Sequence, residues 1–111
     1  MAEKIHVMVK EPGNDAKWER REVENCLRTF QGLVGGYIET VTVSHDLVLI
    51  VNEEGKLQGL EPNVLFRNEW LVGTVVAVGL DKKGENFASC PLATNWQMRI
   101  ALGIESARAG R

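Results

Sequence analysis

The sequence predicts an α+β fold: a mostly antiparallel sheet, one helix after the second strand, and a C-terminal helix. Three observations carry that expectation. Runs rich in valine, isoleucine and threonine recur at 5–9, 37–43, 47–51 and 71–80, some alternating and some wholly apolar. Val23, Leu27, Phe30 and Val34 repeat at helical spacing and stop at Gly35-Gly36. Leu92, Trp96, Ile100 and Ile104 recur every fourth residue after Pro91.

The first run sets Ile5, Val7 and Val9 on one side of a strand and His6 and Met8 on the other. Glu11-Pro12-Gly13-Asn14-Asp15 ends it in a turn. Residues 18–23 carry Glu19, Arg20, Arg21 and Glu22, which suit a solvent-facing edge strand. A helix over 25–34 follows, with Glu24 or Asn25 at its start and glycine at its stop. Tyr37 opens an alternating strand that reaches Val43. Ser44-His45-Asp46 is a turn, and the apolar run 47–51 reads as a central strand covered on both faces. Residues 52–56 turn the chain around Gly55.

A short strand or loop covers 57–60. An irregular connection runs from Glu61 to Arg67, with a helical turn at Pro62 as one option. Residues 71–80 form the second strong strand, in which Gly73 and Gly79 mark bulges or close approaches. A charged turn at 81–85 and a short return strand at 86–90 lead to the last helix, over 91–104. Trp96 is expected in the core, and the tail 105–111 is expected to fray. The whole chain, 1–111, is expected to form a single domain.

Composition narrows the function. Thirteen basic and 15 acidic residues give a net charge of −2, which argues against general nucleic-acid binding. No run approaches the roughly 18 apolar residues of a membrane span. Met1-Ala2-Glu3-Lys4 lacks the apolar core of a signal peptide, so a cytoplasmic protein is expected. Cys26 and Cys90 are far apart and read as free thiols. His6 and His45 are isolated, so no metal site is predicted, and no cofactor motif is present.

Several residues have both a chemical and a plain reading. Ser44, His45 and Asp46 are the types of a hydrolase triad, but adjacent residues cannot adopt the relay geometry. Glu39 or Asp46 would serve as a general base only if buried beside a ligand. No catalytic residue is assigned. Gly35 and Gly36 either offer backbone amides to an anion or simply end a helix. Tyr37 stacks on a ring or sits at the surface. Asn63 and Arg67 form a polar cluster or a turn and a surface ion pair. Thr74, beside Gly73, lies where a ligand or second subunit could approach. Gly35, Gly36, Tyr37, Asn63, Arg67 and Thr74 are therefore the candidate ligand-binding set. Trp18 and Trp70 are candidate interface anchors, with half-buried indoles over the sheet as the alternative.

Gly35-Gly36-Tyr37-Ile38-Glu39, Asn52-Glu53-Glu54-Gly55-Lys56, Gly59-Leu60-Glu61-Pro62-Asn63 and Val72-Gly73-Thr74 occur in that order and spacing. With them the stretch 5–80 resembles a family of small uncharacterised domains found on bacteriophages, plasmids and genomes carrying such elements. The segment 91–111 lies outside the resemblance. The resemblance implies an accessory protein of a mobile element and supplies no activity. Two readings follow. The first is a non-enzymatic binder that sequesters a nucleotide-derived host-defence signal, with the ring on Tyr37 and phosphates on Arg67. The second is a protein-interaction module that inhibits a host protein by direct binding through Trp18 or Trp70. The exposed edges of a small sheet also favour a homodimer.

Overall fold

The computed structural model describes residues 2–13 and 15–109, with the backbone alone for 104–109. The chain runs β1 (Lys4–Lys10), β2 (Glu19–Glu24), α1 (Leu27–Val34), β3 (Ile38–Ser44), β4 (Leu47–Asn52), β5 (Pro62–Phe66), β6 (Glu69–Val72), β7 (Val75–Leu80), β8 (Phe87–Ala88) and α2 (Asn95–Ala109). The main sheet has the order β2-β1-β7-β4-β3, every neighbour antiparallel, and β8 pairs with the end of β7. β5 and β6 form a separate hairpin. This is the α+β arrangement expected, with α1 after the second strand and α2 at the C-terminus.

Alternation along the strands builds two cores. Ile5, Val7 and Val9 of β1, Val48 and Ile50 of β4, and Val76 and Val78 of β7 meet Phe30 and Val34 of α1. Met8, Leu47, Leu49, Val51, Val75 and Ala77 point the other way, onto Phe66 and Leu71 of the hairpin and Met98 and Leu102 of α2. Three layers result: α1, the sheet, and a cover made of hairpin and α2. Every residue of β4 is buried, as an uninterrupted apolar strand between two covers must be. Phe30 also meets Phe87 edge to face, which ties the start of β8 to α1.

α1 is shorter than its apolar stripe suggested. Val23 belongs to β2, and Leu27 is exposed, so Phe30 and Val34 alone are its buried residues. Cys26, not Glu24 or Asn25, is the N-cap residue, and it makes no side-chain cap bond. The Asn25 amide instead donates to the Phe87 carbonyl at 2.8 Å.

The connection 61–67 is extended, not irregular, and no helical turn forms at Pro62. A two-residue loop, Arg67-Asn68, joins β5 to β6, and both residues have positive φ, 50° and 64°. That is the backbone a tight hairpin turn demands, and Asn68 tolerates it better than most side chains. The expected single strand 71–80 divides at Gly73, whose φ is 75°. The chain there leaves the hairpin and enters the main sheet.

α2 begins at Asn95, four residues later than expected. Thr94 Oγ1 accepts from the Gln97 amide at 3.1 Å, and Gln97 Oε1 accepts from the Thr94 amide at 3.2 Å. This reciprocal pair is a capping box. Trp96 is exposed, contrary to expectation, and so is Ile100, while Met98 and Leu102 are buried. Strict four-residue spacing drifts about 40° per step around an α-helix, so the stripe cannot stay on one buried face. The side chain of Ile104 and the expected fraying of the tail lie outside the described residues, although the backbone of α2 continues to Ala109.

Candidate functional site

The six ligand-binding candidates fall in three separate places. The first is the corner where α1 ends and β3 begins. Gly35 caps α1 in the left-handed region, and the amides of Gly35 and Gly36 both donate to the Gln31 carbonyl, at 2.8 and 3.1 Å. Those amides close the helix and do not point at a ligand. Beside them lies Asn52, the one polar residue among the described buried ones, 5% exposed. Its Nδ2 donates to the Val34 carbonyl at 3.2 Å and to Gln58 Oε1 at 3.4 Å, and its Oδ1 accepts from the Glu54 amide at 2.8 Å. Asn52 therefore holds the end of α1 and the turn after β4 together. Tyr37 presents its ring outward, 66% exposed, while its carbonyl accepts from the Glu53 amide at 2.8 Å.

The second place is the seam between β1 and the β5–β6 hairpin. Asn63 Nδ2 donates to the carbonyls of Lys10 and Gly73 at 2.8 and 2.7 Å, and its Oδ1 accepts from Lys10 Nζ at 2.7 Å. Every polar atom of the Asn63 side chain is engaged in joining strands. Partial burial lowers the affinity of Lys10 for its proton. Thr74 donates its hydroxyl to the Glu11 carboxylate. These contacts are a structural lock.

Arg67 is the third place. From the hairpin tip its guanidinium lies over the Phe66 ring, 4.7 Å from the centroid. It donates to the carbonyls of Thr42 and Val43 at 3.3 and 3.0 Å. Those acceptors lie about 16–20 Å along β3 from Tyr37. Tyr37 and Arg67 are thus not brought together on one ligand-sized spot.

Ser44, His45 and Asp46 form the β3–β4 turn. Ser44 Oγ donates to Asp46 Oδ1 at 2.9 Å, the reverse of a serine–histidine relay, and exposed His45 stands 3.9 Å from the Asp46 carboxylate. Among the described residues no group of three or more potential metal ligands assembles. No helix among them is long and apolar enough to cross a membrane.

The two tryptophans separate cleanly. Trp18 is 6% exposed in the core under α2, and its amide donates to Asn95 Oδ1 at 2.8 Å. Trp70, directly opposite Leu65 in the hairpin, is 50% exposed. It lines an open cleft of about 190 Å³ between the hairpin and the end of the sheet. Glu39 of β3, Glu53 and Lys56 of the turn after β4, Leu57, and Glu69 of β6 line it too. Lys56 meets Glu69 at 3.4 Å. Three carboxylates against one ammonium make the cleft acidic. The sequence singled out Trp70 and offered Glu39 only as a base; Glu53 sits in a stretch that reads as a turn, Leu57 in one that reads as a short strand or loop, and Glu69 just before the strand that Trp70 opens.

No curated protein and no solved structure matches the chain. One family profile matches residues 5–100, from β1 into the first turns of α2, and so includes 91–100, which the resemblance left out. The chain therefore belongs to the family described as Domain of unknown function (DUF3846).

Proposed function

We propose that this protein is a non-enzymatic protein-interaction module that docks a partner at the Trp70 cleft. The observation that carries the reading is a half-exposed indole on the lip of a cleft lined by Glu39, Glu53 and Glu69. Exposed Leu57 adds apolar surface beside it. An aromatic anchor ringed by polar groups is how interfaces concentrate their binding energy. The carboxylates select a positively charged partner surface. In the mobile-element setting that the resemblance implies, such docking would inhibit a host protein by occupying it.

The geometry gives less support to capture of a nucleotide. The glycine amides are engaged in a helix cap, Asn63 is engaged between strands, and the cleft carries the sign that repels phosphate. The reading is tested by affinity capture from host lysate with the wild type, Trp70→Ala, and Trp96→Ala as an exposed control. A protein retained by the wild type and Trp96→Ala but lost by Trp70→Ala is expected. Equal capture by all three overturns the cleft as the docking site.

A further inference from the structure

The two edges of the main sheet are protected very differently. β2 reads Glu-Arg-Arg-Glu-Val-Glu, with one uncharged residue in six. Charges of that density discourage another strand from pairing. β3 reads Ile-Glu-Thr-Val-Thr-Val-Ser, with one charged residue in seven. It has no proline, and its single irregularity lies between Thr42 and Ser44.

The register shows which backbone groups of β3 face outward. The Glu53 amide donates to the Tyr37 carbonyl, so Tyr37 pairs inward with Glu53. Glu39 and Val41, opposite Val51 and Leu49, share that inward phase, and Ile38, Thr40 and Thr42 turn their amides and carbonyls outward. Arg67 agrees with this phase at Thr42, whose outward carbonyl its guanidinium covers, and it also reaches the Val43 carbonyl, which the irregularity there takes out of the ladder. One half of the edge is thus capped by the hairpin tip. Among the described residues the other half, Ile38–Thr40, has no strand beside it, and Glu39 between them faces the acidic cleft beside Trp70.

Resting on the docking reading, we propose that the partner binds as an added β-strand. An extended, lysine- or arginine-rich segment pairs with the outward groups of Ile38 and Thr40. Alternate side chains of that segment reach the cleft, where their basic groups meet Glu39, Glu53 and Glu69 and the methylene stem of one lies against Trp70. Main-chain hydrogen bonds supply affinity in this mode, and alternate side chains supply selectivity. Arg67 sets where the added strand must stop.

The test uses a blocked octapeptide of alternating lysine and valine, the same peptide N-methylated at alternate amides, and a glutamate–valine control. Binding to the full chain is followed by Trp70 fluorescence and by hydrogen exchange of the Ile38 and Thr40 amides. The expected result is binding of the lysine peptide with both amides slowed at least about tenfold. N-methylation on the pairing edge should weaken it about tenfold or more, with charge unchanged. Glu39→Lys should also weaken it. Binding that perturbs Trp70 equally with and without N-methylation, and leaves both amides fast, overturns strand addition while the docking reading stands. Binding of neither basic peptide overturns both. Protection of the two amides in the free protein, rising with its concentration, overturns the proposal in favour of a second copy on that edge.

Discussion

The side-chain amide of Asn52 fills the space in which a Cβ on Gly36 would stand, 2.9 Å from that position. Asn52 can bond the Val34 carbonyl because Gly36 has nothing there. Gly36→Ala should therefore displace Asn52 and destabilise the protein by about 1–3 kcal/mol. Asn52→Ala should cost a similar amount, about 1–3 kcal/mol, by leaving the Glu54 amide without its acceptor. Because they disrupt one contact, the double variant should lose less than the summed single losses. Urea unfolding of all four proteins checks this.

Asn63 joins β1 to the hairpin through two carbonyls and an ammonium. Asn63→Leu, close in size, should cost about 1–3 kcal/mol, because the partners lose their bonds in a partly buried seam. Thr74→Val, at an exposed bond, should cost under about 1 kcal/mol. Thermal unfolding of the two variants ranks them.

The cysteines should react differently. Thr29 Oγ1 lies 3.2 Å from Cys26 Sγ, and this hydrogen bond holds the Cys26 thiol below its ordinary pKa. Burial pushes the Cys90 thiol up. Iodoacetamide should modify Cys26 first, with its rate rising at lower pH than for a free cysteine, because the thiolate is the nucleophile. Thr29→Val should move that rise to higher pH. Mass-resolved alkylation across pH reads both effects.

Asp81 accepts from the Asn86 side chain and from the Glu85 amide, each at 2.9 Å, and these bonds, the first above all, hold its carboxyl below the usual range. Its contribution is therefore present above the unfolded carboxylate pKa and is lost as pH falls through the lower folded value. Asp81→Asn should show a shallower loss of stability on acidification below about pH 4. Urea midpoints from neutral to acid pH measure the slope.

Single-tryptophan proteins should divide by environment. The protein retaining Trp18 should emit at shorter wavelength and resist acrylamide, whereas those retaining Trp70 or Trp96 should be quenched readily. Fluorescence quenching distinguishes them directly.

Much of the fold is legible in the chain because burial leaves a strong pattern. The run 47–51 must be covered on both faces, and it is. Gly35 must stop a helix, and it does. Less legible were elements whose cause lies in another part of the chain. The β5–β6 hairpin turns on Arg67-Asn68, not on the glycine that usually marks such a loop. Trp18 sits among charges in sequence but under α2 in space. The cleft draws Glu39, Glu53, Glu69 and Trp70 from three segments, and no local spacing relates them. The capping box at Thr94 and Gln97 was readable and places the start of α2 better than Pro91.

The position of β7 has a consequence for how the chain can be assembled. β1–β2 and β3–β4 are local hairpins, yet in the sheet they touch only through β7, which pairs with β1 on one side and β4 on the other. A ribosome must therefore release Val75–Leu80 before the two halves of the sheet can join. Until then each hairpin carries an open edge that the finished protein conceals. Completing the sheet thus depends on pairings distant in sequence, the kind of contact that is intrinsically slow to form.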